Sequence, residues 1–529
     1  MAVAPATSPA RTKRPYFPLI AAFVLGAATV FAYAPFNFFW LPVLTLAALI
    51  RFWRGRTAKQ AALIGFAFGL GLFGFGASWV YVSLHDYGGM PAVLAALATF
   101  LFCAVLALFP GVVGFLQARV TLSSFAKSVV FIPALWAISE WVRGWIFTGF
   151  PWLAVGYAQT PPSPLAGYAP IFGVYGISLA VMVSAGLLAS LWKDEGGSRK
   201  EVSSFIPHPL SFKNIPHPSS FTNIFHPLLF ILAAIWLVGY GLRQIEWTHP
   251  AGEPISVSLL QGNIAQEMKW EPEQIKASLE TYRQLALQSK SRLIVLPETA
   301  LPLFYHQLPD SYTDELAAHA QANNGALLFG VPEYVAGRDE FYNSVFTGDG
   351  KQAYRKVHLV PFGEFIPWGF DWVLEILHIP LSDFSRGSPE QKPLDVAGQK
   401  VAVNICYEDA FGEEIIRQLP EATLLVNVSN VAWFGDSIAP WQHMQMSQTR
   451  ALETGRFMLR ATNSGLTAII SQRGEVVQHS TPFTRAALTG EAQGFGGATP
   501  YVRYGNAVVL VLCAAMLATA FLLRRKPRD

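Results

Sequence analysis

Charge is scarce in this 529-residue chain. Asp, Glu, Lys and Arg make up only 14% of it, and 52% of the residues are hydrophobic. Soluble globular domains carry about 25% charged residues. The shortage excludes a chain wholly dissolved in water, and the positive mean hydropathy points the same way. Cysteine is scarcer still: Cys103, Cys406 and Cys513 are all there is. Three such residues, two of them in apolar runs, exclude a disulfide framework. Cys103 and Cys513 read as small apolar packing residues. A basic excess is lacking too, because 38 Lys and Arg against 35 Asp and Glu leave a formal charge of +3. A nucleic-acid binder would concentrate cations on one face. Neither a P-loop nor a ligand cluster of metal spacing occurs, so nothing in the sequence asks for a nucleotide or a metal.

Apolar length is what the chain has in abundance. A bilayer-crossing helix needs about 20 mostly apolar residues. Eight stretches are read as such spans: 16–34, 38–53, 61–84, 91–117, 125–147, 166–192, 227–243 and 505–523. The second and seventh are short. The first is not a cleavable signal, because it is long and more spans follow without a small-residue cleavage site. Lys and Arg stay on the cytoplasmic side of such proteins. Arg11, Lys13 and Arg14 precede the first span, and Arg51, Arg54, Arg56 and Lys59 follow the second. Arg119 and Lys127 follow the fourth; Lys193, Arg199, Lys200 and Lys213 follow the sixth; Arg524, Arg525, Lys526 and Arg528 end the chain. The connections 35–37, 85–90 and 148–165 hold neither Lys nor Arg. This alternation predicts cytoplasmic termini and a large region on the far side. The expected division is a membrane domain over 1–244 with seven spans, an outer domain over 245–504, and a last span with a basic tail over 505–529.

Within the first part, 201–227 repeats Ser-Phe and His-Pro, with His-Pro at 208–209, 217–218 and 226–227. It reads as a low-complexity cytoplasmic loop, a simpler reading than metal binding by its histidines. Glu140 and Arg143 lie in the fifth stretch, share a helix face and can pair. Intramembrane charges suggest function, although such a pair can equally hold helices together. The following outer loop, Gly149-Phe150-Pro151-Trp152, is aromatic and uncharged and suits an interface or a way in for lipid.

The outer region alternates short β-branched runs with amphipathic helices, which predicts an α/β layered fold. Strands are expected at Ile255–Leu260, Leu293–Leu296, Ala326–Gly330, Val401–Ile405 and Leu424–Val428, and near 457–461 and 466–471. A hairpin is expected from Asn343–Thr347 and Gln352–Lys356, and helices over Glu271–Ser289, Asp314–Asn323, Glu413–Leu419 and Trp441–Thr454. Three strand ends present reactive groups. Glu298 follows Leu296-Pro297, where a drier setting would raise a carboxyl's pKa and make it a usable base. Lys356 stands in Tyr354-Arg355-Lys356-Val357-His358. Cys406 stands in Asn404-Ile405-Cys406-Tyr407-Glu408-Asp409, a plausible nucleophile beside carboxylates. Taken singly, each has a plain reading as a turn carboxylate, a solvated ammonium or a packing thiol. A Cys-His arrangement using His358 or His443 is also open.

Together and in this order, Leu-Pro-Glu-Thr at 296–299, Arg-Lys-Val-His-Leu-Val-Pro-Phe-Gly-Glu at 355–364 and Asn-Ile-Cys-Tyr-Glu-Asp at 404–409 resemble the nitrilase (carbon–nitrogen hydrolase) superfamily. That family uses a Glu-Lys-Cys triad on an αββα sandwich. With membrane spans on both sides, the whole chain resembles the apolipoprotein N-acyltransferase family. Gln261-Gly262-Asn263-Ile264 with Lys269-Trp270, Asn427-Val428-Ser429-Asn430 with Trp433-Phe434-Gly435-Asp436-Ser437, and Arg450-Ala451-Leu452-Glu453 with Arg460-Ala461-Thr462-Asn463-Ser464-Gly465 carry that similarity. The resemblance implies a bacterial inner-membrane enzyme with a periplasmic catalytic domain. It implies Glu298 as base, Lys356 and the Tyr407 amide as oxyanion donors, and Cys406 as the acyl carrier. Glu364 would orient Lys356. Glu408 would shape the amine site or serve as an acidic residue at a helix N-terminus. Trp270 and Trp433 would contact substrate or pack as ordinary aromatics. The implied donor is a phospholipid, with phosphatidylethanolamine expected, and the acceptors are diacylated apolipoproteins. No cofactor is implied. The apolar run 361–385, with Phe365, Trp368 and Phe370, would be buried in a domain facing water; beside a membrane it reads instead as a lid or arm dipping into the outer leaflet. The alternative is a membrane-tethered amidase of nitrilase type that releases its product to water.

Overall fold

The computed structural model describes residues 16–191, 227–265, 271–367, 369 and 383–522. Trp270, Trp368, Phe370, the basic ends of the chain and the His-Pro repeat up to residue 226 lie outside the described residues.

Each of the eight apolar stretches holds a helix. These are α1 (Phe17–Thr29), α2 (Leu41–Trp53), α3 (Ala58–Gly76), α4 (Ala92–Arg119), α5 (Ile132–Arg143), α6 (Ala169–Leu191), α7 (Pro227–Leu242) and α11 (Ala507–Leu522). Four helical runs are long and apolar enough to cross a bilayer: Ala58–Gly76, Ala92–Arg119, Ser124–Arg143 and Pro164–Leu191. The other four are shorter apolar helices. The third expected span ran to residue 84, but α3 ends at Gly76 and the chain continues in short helical turns through Tyr87. Thr57 starts α3 with a capping box, accepting from Gln60 N while its own N–H is bonded by the Gln60 side chain. Small residues let α1, α3 and α4 approach closely. A Cβ on Gly65 would fall 2.2 Å from Pro110 O, and one on Gly71 would fall 2.0 Å from Phe23 O.

The carboxy-terminal part is built on two six-stranded sheets. The first holds β1 (Ile255–Gln261), β2 (Leu293–Val295), β3 (Ala326–Val335), β4 (Glu340–Thr347), β5 (Ala353–Arg355) and β12 (Ala486–Ala492), in the order β12-β1-β2-β3-β4-β5. The second holds β6 (Leu394–Val396), β7 (Gln399–Ile405), β8 (Leu424–Ser429), β9 (Met458–Thr462), β10 (Ala468–Ile470) and β11 (Val476–His479), in the order β11-β10-β9-β8-β7-β6. In each sheet three neighbouring strands are parallel, β1-β2-β3 and β7-β8-β9, and the flanking pairs are antiparallel. One apolar core joins the facing sheets, with Val257, Leu259 and Val295 against Val403, Val426 and Leu459. The opposite face of the first sheet packs on α8 (Pro272–Gln288) and α9 (Asp310–Ala322), through Leu260, Ile294, Tyr282 and Leu316. The second sheet packs on α10 (Ala439–Thr454), through Leu425, Met458, Met444 and Ala451. The layers are therefore αββα.

The expected hairpin forms, with Val345 opposite Tyr354. The expected helix at 413–419 is instead one α-turn, Gly412–Ile415, followed by a 3-10 turn, Ile416–Gln418.

Candidate active site

Catalytic groups in parallel sheets collect at the carboxyl ends of strands, and here those ends converge from both sheets. Glu298 lies just beyond β2, Lys356 directly follows β5, Cys406 directly follows β7, and Asn430 directly follows β8. Lys356 is buried to 1% exposure and lies between two buried carboxylates. Its Nζ is 2.8 Å from Glu364 Oε1 and 3.4 Å from Glu298 Oε1. Burial alone would lower its pKa, but the Glu364 and Glu298 charges override that and raise it above the ordinary lysine value. Asn343, on β4, donates from Nδ2 to Glu298 Oε1 and to Glu364 Oε1, both at 2.8 Å. Glu298 Oε2 accepts from Asn430 N at 2.7 Å, and Glu364 Oε2 from Val360 N at 2.9 Å. Both carboxylates are thus fixed at both oxygens.

Cys406 has φ +55°, a left-handed conformation uncommon for any residue but glycine. Burial pushes its thiol well above the ordinary value; the Glu298 charge adds to this and Lys356 opposes it. The surroundings thus favour the thiol over the thiolate. Cys406 opens the 3-10 turn Cys406–Ala410. The first amides of such a turn, Tyr407 N among them, have no partner within the helix.

Beneath the cysteine lies a polar network that the strand-end reading did not reveal. The Cys406 carbonyl accepts from Asn427 Nδ2 at 3.2 Å and meets His443 Nε2 at 3.1 Å. Arg460 donates to His443 Nδ1 at 2.9 Å. Because arginine is donor-only, that nitrogen is the acceptor and the ring proton sits on Nε2, between Cys406 O and Asp409 Oδ1, the latter 2.7 Å away. Burial, then the Arg460 charge, hold His443 below its ordinary pKa. Burial would raise Asp409, but His443, Arg460 and Ser447 override it and hold it low. Arg460 also binds Asn427 Oδ1 at 2.8 Å. With both ring nitrogens committed, His443 braces the Cys406 backbone. His358, the other histidine of a Cys-His arrangement, stacks on Phe411 with centroids 3.6 Å apart and meets Glu414 at 3.0 Å.

Glu408 is fully enclosed and ties the cysteine turn to the lysine loop. Its Oε2 accepts from Ile405 N at 2.7 Å, and its Oε1 from Val357 N at 2.6 Å and His358 N at 3.0 Å. The Tyr354 hydroxyl donates to the same carboxylate. Burial pushes Glu408 up to about 7, against the opposing pull of these amides and of Lys356. Tyr407 points its hydroxyl at Gly149 O, 3.0 Å away in the helical part. Trp433 also faces that part, with its carbonyl bonded by Ser83 Oγ at 2.7 Å and its ring edge-on to Tyr87. Phe365 lies under Arg386, 5.2 Å from its ring centre, and its carbonyl accepts from Phe362 N. Asn343, Asn427, Asp409 and Arg460 join the site without having been singled out by the sequence, and His443, a candidate for a Cys-His arrangement, meets the Cys406 carbonyl instead. Asp409, Asn427 and Arg460 lie within the family-like motifs, where nothing marks them as a network.

The model of the apolipoprotein N-acyltransferase N-terminal domain matches residues 25–187. That of the carbon-nitrogen hydrolases matches residues 256–500. An apolipoprotein N-acyltransferase of Nitrosomonas europaea is 54% identical over 97% of this chain and 99% of its own length. That of Chromobacterium violaceum is 45% identical over 98% and 95%. That of Methylococcus capsulatus is 43% identical over 95% and 95%.

Proposed function

Since the chain belongs to the apolipoprotein N-acyltransferase family, we propose that it carries an acyl chain from a phospholipid to a lipoprotein by way of Cys406. Glu298 removes the thiol proton, and the sulfur attacks the ester carbonyl of a membrane phospholipid. Lys356 and the Tyr407 amide receive the developing oxyanion, where preorganised donors count most. The carbon–oxygen bond to glycerol breaks, Glu298 returns the proton to the leaving oxygen, and a thioester remains on Cys406. The α-amine of a diacylglyceryl-cysteine lipoprotein then attacks. Glu298 takes the amine's proton, the thiolate departs, and an amide-linked third chain results. One ester-level bond is exchanged for another, so the chemistry needs no ATP.

The observation that carries this reading is the ammonium of Lys356 held between Glu298 and Glu364, within electrostatic reach of Cys406 at the end of its strand with a left-handed backbone. Glu364 orients the ammonium. Glu408 holds the lysine loop to the cysteine turn. Trp433 and Phe365 flank the substrate, with Trp270 and Trp368 assigned there by resemblance alone. The stretch 361–385 acts as the lid.

Eight apolar helices and alternating basic connections support a multi-pass inner-membrane protein with seven spans before the catalytic domain and one after it. Both termini then face the cytoplasm and the sandwich faces the periplasm. The expected donor is phosphatidylethanolamine. Incubating wild-type and Glu298→Gln enzyme with that lipid and a diacylated lipopeptide tests the reading. Wild type should yield triacylated peptide and lysophospholipid in equal amounts, and Glu298→Gln neither. Free fatty acid released without triacylated peptide would instead favour the tethered hydrolase.

A further inference from the structure

Two charges lie buried in the membrane part without a function so far. Glu140 and Arg143, at the outer end of α5, are 5% and 3% exposed. Their spacing suggested that they pair. No ion pair joins them among the described residues; each is turned instead on the loop that follows. Arg143 donates to the carbonyls of Phe150 and Trp152, at 2.5 and 2.6 Å. Glu140 Oε1 accepts from Val155 N at 3.0 Å and from Trp136 Nε1 at 2.9 Å. Tyr33 adds a bond to Leu153 O at 2.8 Å. Backbone polar groups buried away from water must be satisfied within the protein. Here charged side chains satisfy three of them from inside the bundle.

The pinned loop touches the cysteine turn. Gly149 O accepts from the Tyr407 hydroxyl at 3.0 Å. Trp152 stacks on the Tyr407 ring, with centroids 6.4 Å apart and planes at 19°, and donates to Gln442 at 2.7 Å. Tyr157 donates to Ala410 O at 3.2 Å. Tyr407 and Ala410 are the second and last residues of the turn that Cys406 opens.

We infer that Glu140 and Arg143 are positioning residues for acyl transfer, fixing loop 149–157 so that it holds Tyr407, and with it the amide next to the nucleophile. The inference rests on the proposed role of that amide. Its test is the single-turnover acylation rate of Cys406, followed by intact mass. The donors are phosphatidylethanolamine and p-nitrophenyl acetate, a small ester that needs no lipid site. The enzymes are wild type, Glu140→Gln, Arg143→Gln, Arg143→Lys, Tyr407→Phe and the Arg143→Gln/Tyr407→Phe double variant, with thermal midpoints recorded beside the rates.

Arg143→Gln and Tyr407→Phe should each slow acylation by both donors about tenfold or more, as misplaced reacting groups do, with KM for the phospholipid little changed. Residues acting through one chain of contacts are non-additive, so the double variant should be no slower than the slower single. Arg143→Lys should recover part of the rate. Acylation at the wild-type rate per folded enzyme, or rate losses that multiply in the double variant, would overturn the inference. If Arg143→Gln does not fold, Glu140→Gln paired with Tyr407→Phe makes the same comparison. Cys406→Ala enzyme that still transfers acyl chains would defeat the thioester reading instead, and so separates the two failures.

Discussion

Lys356 is closer to Glu364 than to Glu298, and that asymmetry divides the labour between two carboxylates that otherwise look alike. In the proposed mechanism the nearer one anchors the ammonium and the farther one exchanges a proton with sulfur. Glu364→Gln should therefore keep the fold but lower acylation roughly 10–100-fold, the scale expected when a catalytic group is held loosely; steady-state rates per folded enzyme check this. Because the Lys356 pKa is raised, its contribution to stability is full below the ordinary lysine value and is lost only as pH climbs through the higher folded value. Glu408 shifts stability with pH in the same direction, in a lower window. Its carboxyl, raised from 4.5 to about 7, is protonated more readily in the folded protein, so it costs stability as pH rises across that window. Glu408→Gln places an amide where every partner is a donor, and should destabilise by about 1–3 kcal/mol. The stability gap between wild type and variant should narrow from pH 4.5 to 7, as read by thermal midpoints. Glu298, Lys356 and Cys406 stood out in the sequence because their three motifs occur together and in order; singly, each had a plain reading. Asn343 and Arg460 lie inside strands, where polar residues resemble any others until the fold brings Asn343 to the two carboxylates and Arg460 to His443.

At the scale of elements, α10 does two things at once. One side packs on the second sheet through Met444 and Ala451. Another meets the helical part: Gln442 accepts from Trp152, Gln445 from Ala34 N at 3.1 Å, and Glu453 from Val174 N at 2.7 Å. Glu453 also pairs with Arg450 at 2.9 Å, fully enclosed. Burial pushes Glu453 up to about 7 even with Arg450 beside it. Removing one partner of such a pair strands the other, so Glu453→Ala should cost about 3–5 kcal/mol, seen as a lower thermal midpoint in detergent. The periodicity of Trp441–Thr454 announced this helix, though not that nearly every residue on it is buried. Strands β1, β7 and β8 were legible as β-branched runs buried on both faces. Two edges were not: β6 has three residues, and β12 reads Ala-Ala-Leu-Thr-Gly-Glu-Ala with alternating exposure and no β-branched residue but Thr489. Edge strands owe their pairing to their neighbours more than to their own composition.

For the whole molecule, the apolar stretches announced the helices of the amino-terminal part in advance, because the bilayer imposes a length rule on the chain itself. The joint between the two parts was hidden, since it consists of hydrogen bonds between residues hundreds of positions apart. The proposed orientation predicts that a cysteine replacing Arg338, 70% exposed at the tip of the β3–β4 hairpin, reacts with a membrane-impermeant maleimide in cells whose outer membrane alone is permeabilised. Protection until the inner membrane is opened would reverse the topology. The central claim is the acyl chain on sulfur, and intact mass of the purified enzyme after incubation with phosphatidylethanolamine tests it most directly. The account predicts a mass gain of one acyl chain, localised to Cys406, absent from Cys406→Ala and discharged when a diacylated lipopeptide is added. An unacylated enzyme that nonetheless turns over, or an adduct the lipopeptide does not remove, would contradict it.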